Sequence, residues 1–93
     1  MTLYSMKEAI NLMLEQSHWK ERYLVEKIKL DWEILMGKTI AKYTNDLAIK
    51  DGILYIFTNT AALKNELSYN KALLIEKINK HIGESFIKDV KLS

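Results

Sequence analysis

LAIKDGILYIF, residues 47–57, is the stretch on which the fold turns. Leu47 and Ile49 precede Asp51-Gly52, and Leu54 and Ile56 follow it. Apolar residues alternating with period two around a dipeptide favoured in two-residue type I′ turns predict a β-hairpin. With Asp51 and Gly52 as the turn, Lys50 opposes Ile53, Ile49 opposes Leu54, Ala48 opposes Tyr55 and Leu47 opposes Ile56. One face is then purely aliphatic, and the other receives Ala48, Lys50, Ile53, Tyr55 and Phe57.

On the N-terminal side the period changes to that of a helix. Ser5 and Glu8 have the spacing of a capping box, and Met6, Ala9, Ile10, Met13 and Leu14 continue as one stripe to about Gln16. Ser17 is placed to cap a second helix carrying Leu24, Ile28, Trp32 and Leu35, widened by Val25 and Met36. Gly37 interrupts the pattern, and a break there with a short helix through Ile40 and Tyr43 is the expected outcome. Beyond the hairpin, Asn59 or Thr60 is placed to cap a third helix with Leu63, Leu67, Leu74, Ile78 and Ile82, ending at Gly83. Phe86 to Leu92 reads as a last strand, with Val90 and Leu92 on one side and Asp89 and Lys91 on the other. The order α-α-β-β-α-β implies an α+β domain with a small three-stranded mixed sheet and a parallel, right-handed crossover into the last strand.

At 93 residues the chain is read as one domain, residues 1–93. A hydrophobic share of 48% against 28% charged residues is that of a chain able to bury a core. There is no cysteine, so neither a disulfide framework nor a thiolate metal site is available. No apolar run approaches the roughly 20 residues that span a bilayer, and the N-terminus lacks the pattern of a secretory leader, so a cytoplasmic protein without a membrane partner is expected. The net charge of +2 is too small to argue by itself for a polyanionic ligand.

Three stretches together, LDWEILMGKTIAKYT (30–44), LAIKDGILYIF (47–57) and LKNELSYNKALLIEKINKHIG (63–83), with the closing strand, carry a resemblance. The chain resembles the DciA-like family, long catalogued as a domain of unknown function. Trp32, Leu35, Met36, Gly37, Ile40, Ala41, Thr44, Gly52 and Leu54 occupy the positions of the first half of its pattern. Glu66, Leu67, Leu73, Leu74, Ile78, Asn79 and Gly83 occupy those of the second. Ala61 and Leu63 stand where many members have serine and tryptophan, and the last strand ends in Leu92-Ser93 without the closing arginine. The resemblance implies a KH-like fold similar to the first domain of the replication initiator DnaA, a bacterial origin, and a role in helicase loading during DNA replication. Its implied partners are the replicative DNA helicase and DNA.

The residues themselves offer two kinds of site. If the helices cover the aliphatic sheet face, then Tyr55, Phe57, Lys50 and Lys91 point outward. Aromatics beside lysines suit base stacking, but with Ile53 on the same face a protein interface or a homodimer is preferred. Lys38, Lys42, Lys50, Lys64 and Lys71 are the candidate phosphate contacts, set against the ordinary fate of solvated lysines. Lys77 and Lys80, toward the end of the third helix, are further candidates, and Glu76 and Lys80 have the spacing of an i,i+4 pair.

Trp32 lies on an apolar stripe and is read as core. The stretch GKTI at Gly37 lacks the second glycine of a GXXG clamp, which counts against KH-type RNA binding. His18 with Glu21 offers two ligands, too few for a metal, and His81 suits a helix C-terminus. No nucleophile motif, phosphate-cradling loop or carboxylate cluster is present, so neither enzyme activity nor a cofactor is expected. The reading is a replication accessory module. An RNA-binding KH-like domain and a self-association module using Tyr55 and Phe57 are the alternatives.

Overall fold

The computed structural model describes residues 19–93. The helix expected over residues 5–16, its capping box, and the roles considered for Ser17 and His18 lie outside them. The described elements are α1 (Trp19–Leu30), α2 (Trp32–Met36), α3 (Lys38–Tyr43), β1 (Asp46–Lys50), β2 (Ile53–Phe57), α4 (Ala61–Ser68), α5 (Lys71–Ile82) and β3 (Asp89–Leu92). The sheet has the order β1-β2-β3. β1 and β2 are antiparallel, while β2 and β3 are parallel. The architecture is α+β with a three-stranded mixed sheet, as the sequence implies.

The hairpin forms in the expected register, from Lys50 opposite Ile53 to Leu47 opposite Ile56. Asp51 and Gly52 have φ of 54° and 78°, the pair of positive values that a type I′ turn requires. Gly52 has a second reason to lack a side chain. A Cβ there would lie 3.3 Å from Lys88 Cδ and 3.4 Å from the Phe86 carbonyl oxygen, and the Gly52 carbonyl accepts the Lys88 N–H at 2.7 Å. The turn is therefore a packing surface for the chain entering β3.

Leu47, Leu54, Ile56 and Val90 form the buried side of the sheet, and Ile28, Trp32, Leu35, Leu63, Leu67, Leu74 and Ile78 close over it. Contributions come from every described helix except α3, whose Ile40 and Ala41 pack at its margin. The first turn of α1 ties down the tip end of the sheet. Glu21 Oε1 accepts the Asp51 N–H at 2.9 Å, and the buried Lys20 reaches Glu84 at 2.7 Å while lying over the Phe86 ring.

The helical stripes predict their buried faces correctly but not their breaks. The stripe through Leu24, Ile28, Trp32 and Leu35 is interrupted at Asp31, whose φ of −105° and ψ of 11° depart from helical values. The Leu35 N–H still bonds to the Asp31 carbonyl at 2.9 Å, so the helix is bent there without losing that bond. The Asp31 carboxylate accepts from His81 Nε2 at 2.9 Å, which links this bend to the last turn of α5. At Gly37 the expected break occurs, with φ at 90°.

The single third helix expected from Leu63 to Ile82 is instead two helices, α4 and α5. Asn70, at φ −119° and ψ 24°, leaves the helix, its Nδ2 donating to the Glu66 carbonyl at 3.2 Å. Ser68 Oγ bonds to the Asn65 carbonyl at 2.8 Å. Short polar side chains that bond to nearby backbone compete with the helix ladder, and here two of them converge on one corner. Thr60 occupies the N-cap position of α4, yet its side chain makes no capping bond; its N–H instead donates to Thr58 Oγ1 at 3.2 Å. The last strand starts at Asp89 rather than Phe86, since residues 86–88 are held by other means. Asn79 Nδ2 donates to the Ile87 carbonyl at 2.9 Å while Asn79 Oδ1 accepts the Ile87 N–H at 2.8 Å. Gly83 ends α5 in the left-handed conformation, as expected.

Trp32 is 5% exposed and belongs to the core. Its indole N–H donates to Thr44 Oγ1 at 3.0 Å, and that hydroxyl donates to the Ile40 carbonyl at 2.6 Å. The pair joins α2 to the end of α3 across the Gly37 corner. Truncating Trp32 to alanine is expected to cost about 3–5 kcal/mol in urea unfolding, through the cavity it leaves. Asn79→Ala should cost about 1–3 kcal/mol by leaving both Ile87 backbone groups without their partner. Unfolding midpoints equal to the parent's would contradict these roles.

Candidate functional site

The described helices pack on one face of the sheet, and the register determines what the other presents. Tyr55 stands on the central strand between Ala48 on β1 and Lys91 on β3. Ile53 is flanked by Lys50 and Asp89, and Phe57 by Asp46. None of Ala48, Ile53, Tyr55 and Phe57 belongs to the core cluster, and all four are half-buried. The structure thus brings Ile53, Tyr55, Phe57, Lys50 and Lys91 onto one surface, as expected, and interleaves two carboxylates, Asp46 and Asp89.

One of those carboxylates is already neutralised. Asp46 Oδ1 is 3.1 Å from Lys29 Nζ on α1 and also accepts the Leu47 N–H at 2.8 Å. The Leu47 N–H first, and then the Lys29 ammonium, hold the Asp46 carboxyl below the usual carboxylate range. The bond to Asp46 raises Lys29 in turn. The pair lines an open cleft of about 340 Å³ that Trp32 and Thr44 also border. Trp32 bonds to Thr44 and Lys29 to Asp46, while Glu33 and Asn45 also line the cleft.

The other sequence-predicted lysines do not form one cluster by element. Lys38 and Lys42 are exposed one turn apart on α3, and Lys42 lies over the Tyr43 ring. Lys50 is at the hairpin tip, while Lys64 on α4 and Lys71 at the start of α5 are half-buried. None of the five has an ion-pair partner among the described residues. Lys80 does not form the expected pair with Glu76 either, and His81 meets Asp31 rather than only the end of its helix. Among the described residues no group of three or more His, Cys, Asp or Glu side chains is placed to hold a metal. No helix among them is long and apolar enough to cross a membrane.

A second apolar surface escapes periodicity analysis. Leu73 and Tyr69 are exposed by 64% and 85%, beside a concavity of about 220 Å³ between the α2–α3 corner and the α4–α5 corner. Met36, Ile40, Glu66, Asn70, Leu73 and Lys77 line it. Leu73 reads as part of an apolar run in sequence, next to the core residue Leu74. Its position one residue off the stripe through Leu67, Leu74 and Ile78 is the signal that distinguishes it.

Comparison with known proteins addresses the whole arrangement. A family model described as Dna[CI] antecedent, DciA, matches residues 5–92. The chain belongs to the DciA family. UPF0232 proteins of Mycobacterium tuberculosis and Mycobacterium bovis are each 22% identical to it over 86 residues, covering 92% of this chain and 46% of their own. The chain therefore spans about half the length of these curated relatives. No solved structure matches it. Most positions carrying the DciA pattern have folding duties here. Trp32 and Thr44 bond to each other, Asn79 holds Ile87, Gly37, Gly52 and Gly83 take positive φ, and Leu35, Leu54, Leu67, Leu74 and Ile78 are buried.

The Asp46–Lys29 pair yields a pH prediction. A carboxyl held low in the folded state adds stability above its ordinary pKa, and that stability is lost as pH falls through the depressed value. A raised ammonium adds stability that is lost as pH rises through its folded value. The thermal-midpoint gap between the parent and Asp46→Asn should be widest near neutral pH and close toward acid below the usual carboxylate range. A gap that stays constant to low pH would show that the carboxylate charge contributes nothing. Because both groups are exposed, 1 M salt should also narrow it.

Proposed function

We propose that this chain is a non-enzymatic accessory module of bacterial DNA replication that binds the replicative helicase and contacts single-stranded or forked DNA. The observation that carries the proposal is the DciA match along residues 5–92. In this reading Ile53, Tyr55 and Phe57 are the protein-facing surface, supported by their shared position on the sheet face that the described helices leave uncovered. Lys38, Lys42, Lys50, Lys64 and Lys71 contact phosphates, supported by their lack of ion-pair partners among the described residues. The interleaved Asp89 favours a protein over a polyanion on the open face, because a nucleic-acid backbone is repelled by a carboxylate that a protein can pair.

The deciding experiment is light scattering on size-exclusion eluates of the chain alone and mixed with the replicative helicase of the source organism, after nuclease treatment. Co-elution at a defined stoichiometry is expected, and separate elution well above micromolar concentrations would withdraw the helicase partner. The chain alone reads self-association directly. For DNA, anisotropy of a labelled single-stranded oligonucleotide should show salt-dependent binding. Lys38→Glu with Lys42→Glu should lower the slope of log affinity against log salt by about 1.4, roughly 0.7 for each phosphate contact. An unchanged slope would remove α3 from the DNA contact.

A further inference from the structure

We infer that the outward face of α1 and α2 is a dimer interface, on which a second copy of this chain packs antiparallel across a two-fold axis. The surface is separate from the open sheet face and from the concavity at the α4–α5 corner.

Leu24 and Ile28 before the bend at Asp31, and Trp32 and Leu35 after it, are all buried. The Leu35 N–H bond to the Asp31 carbonyl keeps the helical turn through the bend, so the side opposite the core also continues as one face. At about 100° per residue, Trp19, Tyr23, Leu30 and Ile34 fall within about 60° of arc on that side. Their exposures run from 55% to 85%. With roughly 150–250 Å² available on a bulky side chain, the four present about 500 Å² of apolar surface per copy. Two copies supply about 1,000 Å² before any charged residue is added, which is the lower end for a specific interface and fits a dimer of micromolar affinity.

The charges beside this stripe select the occupant and its direction. Arg22, Glu26, Lys29 and Glu33 follow one another along a single flank, with signs alternating and spacings of four, three and four residues. Read backwards, the same flank has the same spacings and the opposite sign at every position. In an antiparallel two-fold pair like flanks meet, so Arg22 faces Glu33 of the second copy and Glu26 faces its Lys29. The same register interleaves the apolar residues: Tyr23 falls between Leu30 and Ile34 of the second copy, and Ile34 between its Trp19 and Tyr23. A parallel copy would instead set this flank against the one bearing Lys27 and Asp31, and Asp31 is already bonded to His81. Within one copy Glu26 and Lys29 meet only at 3.5 Å, with Lys29 also holding Asp46 at 3.1 Å. Arg22 lies over the Trp19 ring at 5.2 Å, and neither Arg22 nor Glu33 has an ion-pair partner among the described residues.

Sedimentation equilibrium on the full chain tests the interface, with circular dichroism to confirm that each variant is folded. The parent should dimerise in a concentration-dependent way, and Leu30→Lys should weaken the dimer at least about tenfold, since the residue is used twice. Arg22→Glu and Glu33→Arg should each weaken it by about tenfold, from roughly two- to fivefold at each of two symmetric pairs. Mixed in equal amounts, these two variants should recover the parent's association as a one-to-one heterodimer, because each carries the charge that the other needs. A parent that stays monomeric well above micromolar concentrations overturns the inference. So does a dimer that Leu30→Lys leaves within twofold of the parent, or one lost only in Tyr55→Ala with Phe57→Ala, which would assign it to the sheet face. A mixture no tighter than its separate components overturns the antiparallel pairing.

Discussion

The register of one hairpin is the constraint on which the rest depends. Side chains alternate along a strand, so a slip of one residue would move Leu47, Leu54 and Ile56 from the buried face to the open one. The type I′ turn prevents that slip by needing positive φ at two successive residues, and Asp51-Gly52 is where the chain meets that need at low cost. The same turn accepts the Lys88 N–H, and a Cβ at Gly52 would crowd Lys88 and the Phe86 carbonyl on the approach to β3. Correct pairing of β1 with β2 thus also positions the parallel strand that completes the sheet.

Around that sheet the helices are joined by specific polar contacts as well as by burial. Trp32 and Thr44 connect the two short helices across Gly37, Asn79 connects α5 to the chain before β3, and Asp31 with His81 connects the bend after α1 to the end of α5. These contacts bridge corners where backbone direction changes. Apolar burial specifies which faces meet, and such bonds specify the angle at which the chain leaves each element. Conformational entropy makes an unsupported corner costly to order, so small domains without disulfides benefit from side chains that tie two segments at once.

The surfaces left over are chemically different from one another. The open sheet face carries aromatics with charges of both signs in register, whereas the concavity at the α4–α5 corner is lined by Leu73, Glu66 and Lys77 among others. Neither resembles a catalytic constellation, and in the cleft beside Trp32 two pairs, Trp32 with Thr44 and Lys29 with Asp46, are bonded internally.

Sequence by itself determined the hairpin, its register, the α+β class, the buried identity of Trp32 and the break at Gly37. Each of these rests on interactions within a few residues or on a periodicity that burial enforces. It also carried the family resemblance, and it placed Ile53, Tyr55 and Phe57 on one face because alternation is geometric. Only the tertiary structure decided the bend at Asp31 and the late start of β3, where His81, fifty residues away, and Asn79, eight residues away, make the contacts; the division of α4 from α5 has its bonds within four residues, at Ser68 and Asn70, and apolar periodicity does not register them. The groove was likewise illegible, since Met36 and Leu73 are far apart in the chain and only the packing of the helices brings them together. Periodicity reports that a side chain is apolar at a given angle around its helix; whether that angle meets the sheet or solvent depends on how the helices are set against one another.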